Sequence, residues 1–261
     1  MSSIPKQSTP MPRAILTYHS IDDSGSIVST TAETLRRHLD SLVSQRIEAV
    51  APHKISEETA SSAVALTFDD GFANFYTDAF PALAQSGLTA TVLIVAGKCG
   101  QRGDWARQPR ELKTRELLSW SKIRELQAAG IVFGAHSMTH RPLPGLPMDE
   151  AASEILDSKS SIEDRTGAAV ECFAYPYGEY TQPIADVVAK NFRVGLSTDM
   201  GFVTTGSRFE ALERIDAYYL RGTFWIDRLF APLGGSYIAC QAAARGLKKR
   251  FEQAGAKASA Q

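Results

Sequence analysis

Short apolar runs alternate along this chain with longer stretches in which apolar positions return every three or four residues. A run apolar at every position suits a strand buried on both faces, as in parallel sheets, whereas the three- or four-residue return marks a helix with one inner face. Arg13-Ala14-Ile15-Leu16-Thr17-Tyr18-His19 is the first such run and predicts a strand that carries His19 at its C-terminal end. Thr30 or Thr31 then caps a helix through about Gln45, with Leu35, Leu39, Leu42 and Val43 on its inner face. Strands follow at Val64–Phe68 and Thr89–Val95, separated by a helix from Asn74 to Ser86 that Gly87 closes.

The segment Gly97–Leu112, rich in Gly, Arg and Pro around Trp105, predicts a long loop that shapes access to a site. Beyond it come a helix from Ser119 to Gly130, a strand at Ile131–Ala135 and an amphipathic helix from Met148 to about Thr166. A strand at Cys172–Ala174, a helix at Gln182–Asn191 and strands at Val194–Ser197 and near Leu212–Ile215 complete the series. This order implies an α/β fold of parallel strands joined by right-handed crossovers, and about seven such strands close or nearly close a barrel. The barrel is expected over residues 13–236, after a disordered leader at 1–12 and before a C-terminal helix and tail at 237–261. No internal repeat divides it.

The polar clusters all follow predicted strand ends. Active sites of β/α barrels gather at that face, so His19, Asp69-Asp70, His136 to His140 and Tyr175 to Tyr177 can converge although far apart in sequence.

Composition narrows the field. At 261 residues, with 44% hydrophobic and 22% charged positions, the chain suits one globular domain, and a formal net charge of -1 argues against nucleic acid as a partner. The three cysteines, Cys99, Cys172 and Cys240, are odd in number and widely spaced, which suits reduced thiols. Residues 1–12 carry three prolines and neither a charged stretch before an apolar run nor a cleavage site, so a cytoplasmic location is expected. No apolar run approaches the roughly 20 residues that span a bilayer. The basic stretch Arg245–Arg250 around Leu247 admits peripheral contact with an anionic membrane surface, although a solvated helix face explains it as well.

Within Leu66-Thr67-Phe68-Asp69-Asp70-Gly71 two adjacent carboxylates end an apolar strand. Successive strand side chains point to opposite faces, so the pair is given two different jobs: one holds a divalent cation, the other stays free as a base toward water. His136 and His140, spaced i, i+4, reach one ion from a loop or a helix face. One carboxylate with two imidazoles suits a transition metal such as Zn, Co, Ni, Mn or Fe(II) better than Ca or Mg. Trp105, Trp120, Tyr218, Tyr219 and Trp225 are aromatic residues near loops, of which at most two are expected to line a site.

Thr67-Phe68-Asp69-Asp70-Gly71, His136-Ser137-Met138-Thr139-His140 and Tyr175-Pro176-Tyr177-Gly178, in that order, resemble the first three motifs of the polysaccharide deacetylases, carbohydrate esterase family 4. The resemblance covers roughly Arg13 to Ala217 and implies a distorted, often incomplete (β/α)7 barrel. It implies Asp69 as catalytic base, with Asp70, His136 and His140 as ligands to one divalent metal, Zn first. It also implies that the backbone N–H of Tyr177 serves an oxyanion hole, with a glycan or N-acetyl amino sugar as substrate.

Two departures accompany the resemblance. The third motif lacks its usual Arg, with Ala174 or Tyr175 in that place, and no histidine follows His140 to serve as the late general acid. Tyr18-His19 is similar to the early segment of the circularly permuted poly-N-acetylglucosamine deacetylases, which makes His19 the candidate acid. Arg214 and Asp216 are the candidates for the missing ion pair beside Asp69. Two other readings keep the same residues: a C–N hydrolase of this fold acting on a small non-carbohydrate amide, and a glycan-binding protein that has lost catalysis.

Overall fold

The computed structural model describes residues 12–56 and 62–258. The leader expected over 1–12 lies outside the described residues except for Pro12, as does the last part of the expected tail, 259–261. Seven parallel strands form a closed ring: β1 (Arg13–Tyr18), β2 (Ala63–Phe68), β3 (Thr91–Ile94), β4 (Val132–Ala135), β5 (Cys172–Ala174), β6 (Val194–Met200) and β7 (Leu212–Asp216). Each pairs with its neighbours in sequence, and β1 closes the ring by pairing with β2 on one side and β7 on the other. The seam between β1 and β2 runs from Arg13 beside Ala63 to Tyr18 beside Phe68. The ring is distorted in two places. A short strand, Glu48–Ala49, takes the edge of β2 opposite Ala63 and Val64, leaving only Thr67 and Phe68 to pair with β3. The register between β6 and β7 shifts between Leu212 and Arg214, as a bulge requires.

Residue size explains how the ring closes. Along β1 and β2 the side chains alternate, so that Ala14, Leu16, Tyr18, Val64, Leu66 and Phe68 pack against the helices. Ile15, Ala63 and Ala65 point inward and meet Leu93, Cys172, Ala174, Leu196 and Leu212. Ala63, Ala65, Cys172 and Ala174 leave the room that Ile15, Leu93, Leu196 and Leu212 fill inside a ring of seven strands. A Cβ on Gly134 would lie 2.5 Å from Leu93 Cδ1 and 2.6 Å from Cys172 Sγ, so only glycine fits there.

Helices surround the ring: α1 (Ala32–Ser44), α2 (Phe80–Ser86), α3 (Trp120–Ala128), α4 (Met148–Thr166), α5 (Gln182–Asn191) and α6 (Pro232–Ala258), with a single turn at Thr223–Ile226. Thr31 caps α1 by accepting the Thr34 N–H at 3.1 Å, and Leu35, Leu39 and Leu42 are buried. Val43 is not on that face; it is 46% exposed. The helix expected from Asn74 begins as a π-helical turn, Phe75–Ala79, before α2, because Pro81 has no N–H to give to the ordinary ladder. Helix α6 starts at Pro232, five residues before Tyr237, since Gly234 and Gly235 weaken the helical signal of a segment that a proline can nevertheless open.

Candidate active site

The alternation that fills the barrel also delivers the site. Continuing the inward positions of β1, β2 and β4 by one step past each strand's C-terminal end reaches His19, Asp69 and His136. On β7 the position two after inward Leu212 is Arg214. Chain topology thus brings residues from opposite ends of the sequence to one mouth.

Asp69 lies 3% exposed, and its two carboxylate oxygens accept from the two terminal nitrogens of Arg214, each at 2.8 Å. The guanidinium is itself aimed by Nε–H donation to the Ser197 carbonyl at 2.8 Å, beside the β6 bulge. Burial alone would raise the Asp69 carboxyl, but Arg214, with His136 and His19 nearby, holds it below the usual carboxylate range. His19 Nε2 stands 4.0 Å from Asp69 Oδ2 and remains partly open to solvent. Asp216 does not share the Arg214 pair expected of it. It accepts the Tyr218 N–H at 2.9 Å and caps the turn that follows β7, because a carboxylate at a helix start satisfies a free backbone donor there.

Asp70 takes different close partners from Asp69. The chain turns through φ 71° at Asp70 and 74° at Gly71, where a Cβ would lie 2.9 Å from Ile94 Cγ2. The turn brings Asp70 Oδ1 to 3.4 Å from His136 Nε2 and 3.3 Å from His140 Nε2, and the two imidazole nitrogens are 3.1 Å apart. These three donor atoms lie within 4.8 Å of one another, and all three residues are buried. His136 Nδ1 donates to the Ala174 carbonyl at 2.8 Å, which fixes the tautomer and leaves the Nε2 lone pair directed at the cluster. One carboxylate oxygen and two aimed imidazole nitrogens fit a divalent transition metal. Burial opposes charge on both rings; for His136 the Asp70 carboxylate outweighs it and the proton is held more tightly, whereas for His140 burial prevails.

At Nδ1 no hydrogen bond aims the His140 ring. Its Nδ1 is buried without a partner among the described residues, and the ring is held by aromatic contacts instead: Trp105 stacks on it at 4.3 Å and Tyr177 meets it edge-on at 4.6 Å. Trp105 comes from the loop after β3, which builds a small core of its own from Phe72, Val95, Trp105, Leu112 and Leu117. Of the five aromatics weighed from sequence, Trp105 touches the cluster; Trp120 lies under Arg165, and Trp225 stacks on Tyr237. Tyr177 follows Pro176 with φ 60°, and Gly178 packs so closely on Thr198 that a Cβ would lie 2.1 Å from its hydroxyl. Burial pushes the Tyr177 phenol up to about 12, so it stays protonated at neutral pH, and the Arg107 guanidinium lies over its ring at 4.7 Å.

Sequence reasoning passed over two neighbours of the site. Arg107 sits in a loop whose contacts no periodicity reveals. Glu154 did leave a signal: it falls within the buried stripe Ala151, Ile155, Ser158 and Ile162 of α4, where a lone carboxylate needs a partner.

The sequence profile of polysaccharide deacetylases matches residues 56–193, more than half of the chain. The chain belongs to the polysaccharide deacetylase family. The family is one of carbohydrate deacetylases, and the matched region contains Asp69, Asp70, His136, His140 and Tyr177, while His19 and Arg214 lie outside it. YxkH of Bacillus subtilis (strain 168), a polysaccharide deacetylase by name, is 25% identical over 217 residues, covering 80% of this chain and 73% of its own. The deacetylase PplD of Streptococcus pyogenes, solved with acetate, superposes with a TM-score of 0.70 at 22% identity, over 80% of this chain and 93% of that one. IcaB of Ammonifex degensii superposes with a TM-score of 0.71 at 20% identity, over 83% and 97%. These likenesses establish the fold, and among the described residues no helix is long and apolar enough to cross a membrane.

Proposed function

We propose that this member of the family is a metal-dependent hydrolase that removes N-acetyl groups from an N-acetylated amino sugar or its oligomers. The observation that carries the reading is the division of labour between two adjacent carboxylates. Asp70 faces His136 and His140, and Asp69 faces Arg214 and His19. Asp70, His136 and His140 would hold a divalent cation, Zn the first candidate, which would supply a Lewis acid able to lower the pKa of water from about 15.7 toward 7.

The chain's own residues supply the rest. Asp69 is anionic and anchored at both oxygens by Arg214, so it accepts the proton of the attacking water without reorienting. The backbone N–H of Tyr177, placed by the turn at Pro176 to Gly178, donates to the oxyanion that forms at the acetyl carbonyl. His19, with Nε2 4.0 Å from Asp69 Oδ2, donates a proton to the departing amine, so that acetate and a free amino sugar leave. Trp105 and the Tyr177 ring wall the site on the His140 side and exclude water there.

The test is metal analysis together with acetate release from short chito-oligosaccharides. One transition metal per chain, abolished with activity in His136→Ala, is the expected result. A protein that binds no metal, or that releases no acetate when loaded, contradicts the proposal.

A further inference from the structure

We propose that Glu154, on α4 and outside the ligand set, is the positioning residue that holds the His136–His140 loop in its metal-binding shape. The inference rests on the metal-dependent reading above. The loop spans five residues and turns twice through left-handed backbone, at Ser137 with φ 65° and at His140 with φ 61°, conformations that non-glycine residues adopt reluctantly. Something outside the loop must hold such a path open.

Glu154 supplies three of the contacts that do so. Its carboxylate accepts the Thr139 N–H at 2.8 Å through Oε2 and the Thr139 hydroxyl at 2.5 Å through Oε1. Its backbone carbonyl accepts the Met138 N–H at 3.1 Å. The remaining ties are local or come from the neighbouring strand end. The His140 N–H reaches Ser137 Oγ at 2.9 Å, and the N–H groups of Ala96 and Gly97 reach the carbonyls of Ser137 and Met138. Thus Glu154 is the side chain from another element that grips the segment between the two histidines.

A 7% exposed carboxylate facing two neutral donors makes a poor stabiliser for its own sake. As a clamp it does what an apolar residue on the same helix face cannot, because it takes the peptide N–H and the hydroxyl of one residue at once. Thr139 is the residue directly before His140, so its placement sets where the imidazole begins. His140 has no hydrogen bond at Nδ1 to correct an error in that placement.

The experiment compares metal affinity with fold stability in Glu154→Ala, Glu154→Gln and Thr139→Val. Zn(II) affinity is measured by chelator competition and Co(II) loading by visible absorbance, while the melting temperature of the chelated protein reports the fold. Losing an outer partner of a ligand typically weakens metal binding about 10- to 100-fold, and Glu154→Ala is expected in that range. Glu154→Gln is expected to stay within a few-fold of wild type, since its amide oxygen can take the N–H and its NH2 can donate to the hydroxyl. Thr139→Val keeps the N–H contact and falls between them, and it serves in place of Glu154→Ala if that variant does not fold. Wild-type affinity in Thr139→Val and Glu154→Ala, or affinity losses no larger than the loss of stability without metal explains, overturns the assignment. If wild type itself binds no metal, it is the proposed function that fails.

Discussion

Arg214 grips Asp69 with two parallel hydrogen bonds of 2.8 Å, in a pocket where the guanidinium is 3% exposed and the carboxylate as little. A paired buried charge is costly to separate. Removing one partner strands the other in a low-dielectric setting, at a cost of roughly 3–5 kcal/mol in comparable pairs. Arg214→Met is therefore expected to lower stability by about that amount and to lower kcat, because the base loses the group that keeps it anionic and aimed. Urea unfolding alongside acetate release checks this. A variant with wild-type stability and rate would show that the pair does neither.

His19 has a different signature. If it protonates the departing amine, His19→Ala lowers kcat for N-acetyl substrates by about 10²–10⁴-fold with little change in metal content. An activated acetyl ester, whose leaving group needs no proton, should lose far less. Equal losses on amide and ester would assign His19 to positioning Asp69 instead.

The ring contacts on His140 predict a role for Trp105. Its stacking at 4.3 Å replaces the hydrogen bond that His140 Nδ1 lacks. Trp105→Ala is expected to weaken metal binding about tenfold or more while leaving the chelated barrel folded, since Trp105 belongs to the small loop core and not to the barrel interior. Chelator competition measures it, and unchanged affinity would mean that the stack only shields the site.

A third buried histidine gives a pH test. His38 Nε2 donates to the Leu220 carbonyl at 2.8 Å and Nδ1 accepts from the Tyr18 hydroxyl at 2.9 Å, so the ring is neutral. Burial lowers its pKa, only partly offset by the Leu220 carbonyl and Asp227. The native state therefore binds the His38 proton less readily than the unfolded chain. The stabilising contribution is complete above the ordinary value of about 6.5 and is lost as pH falls below it toward the folded pKa. In chelated protein, the melting temperature of wild type should fall more steeply from pH 7.5 to 5.5 than that of His38→Gln. Parallel curves would contradict the assignment.

Much of this was legible in the sequence because period and size act locally. The runs Cys172–Ala174, Met148–Thr166 and Gln182–Asn191 fold within the bounds their patterns indicate. The strand ends His19, Asp69 and His136 meet because parallel strands open on one face. What was not legible depends on contacts across the ring. Arg214 and Asp216 lie two residues apart on the same side of β7, but Asp216 ends the strand and caps the following turn through the Tyr218 N–H, so Arg214 alone of the two pairs with Asp69. Val43 sits on the edge of the α1 stripe, where one step decides exposure. Trp105 meets His140 through a loop whose course is set by its own side-chain packing.

The most direct test separates the two adjacent carboxylates by comparing Asp69→Asn with Asp70→Asn for bound metal and for acetate released from chito-oligosaccharides. The expected outcome is that Asp69→Asn keeps one metal per chain and loses at least about 10²-fold in turnover, whereas Asp70→Asn loses metal and activity together. Full turnover in Asp69→Asn, or full metal binding in Asp70→Asn, would contradict the division of labour.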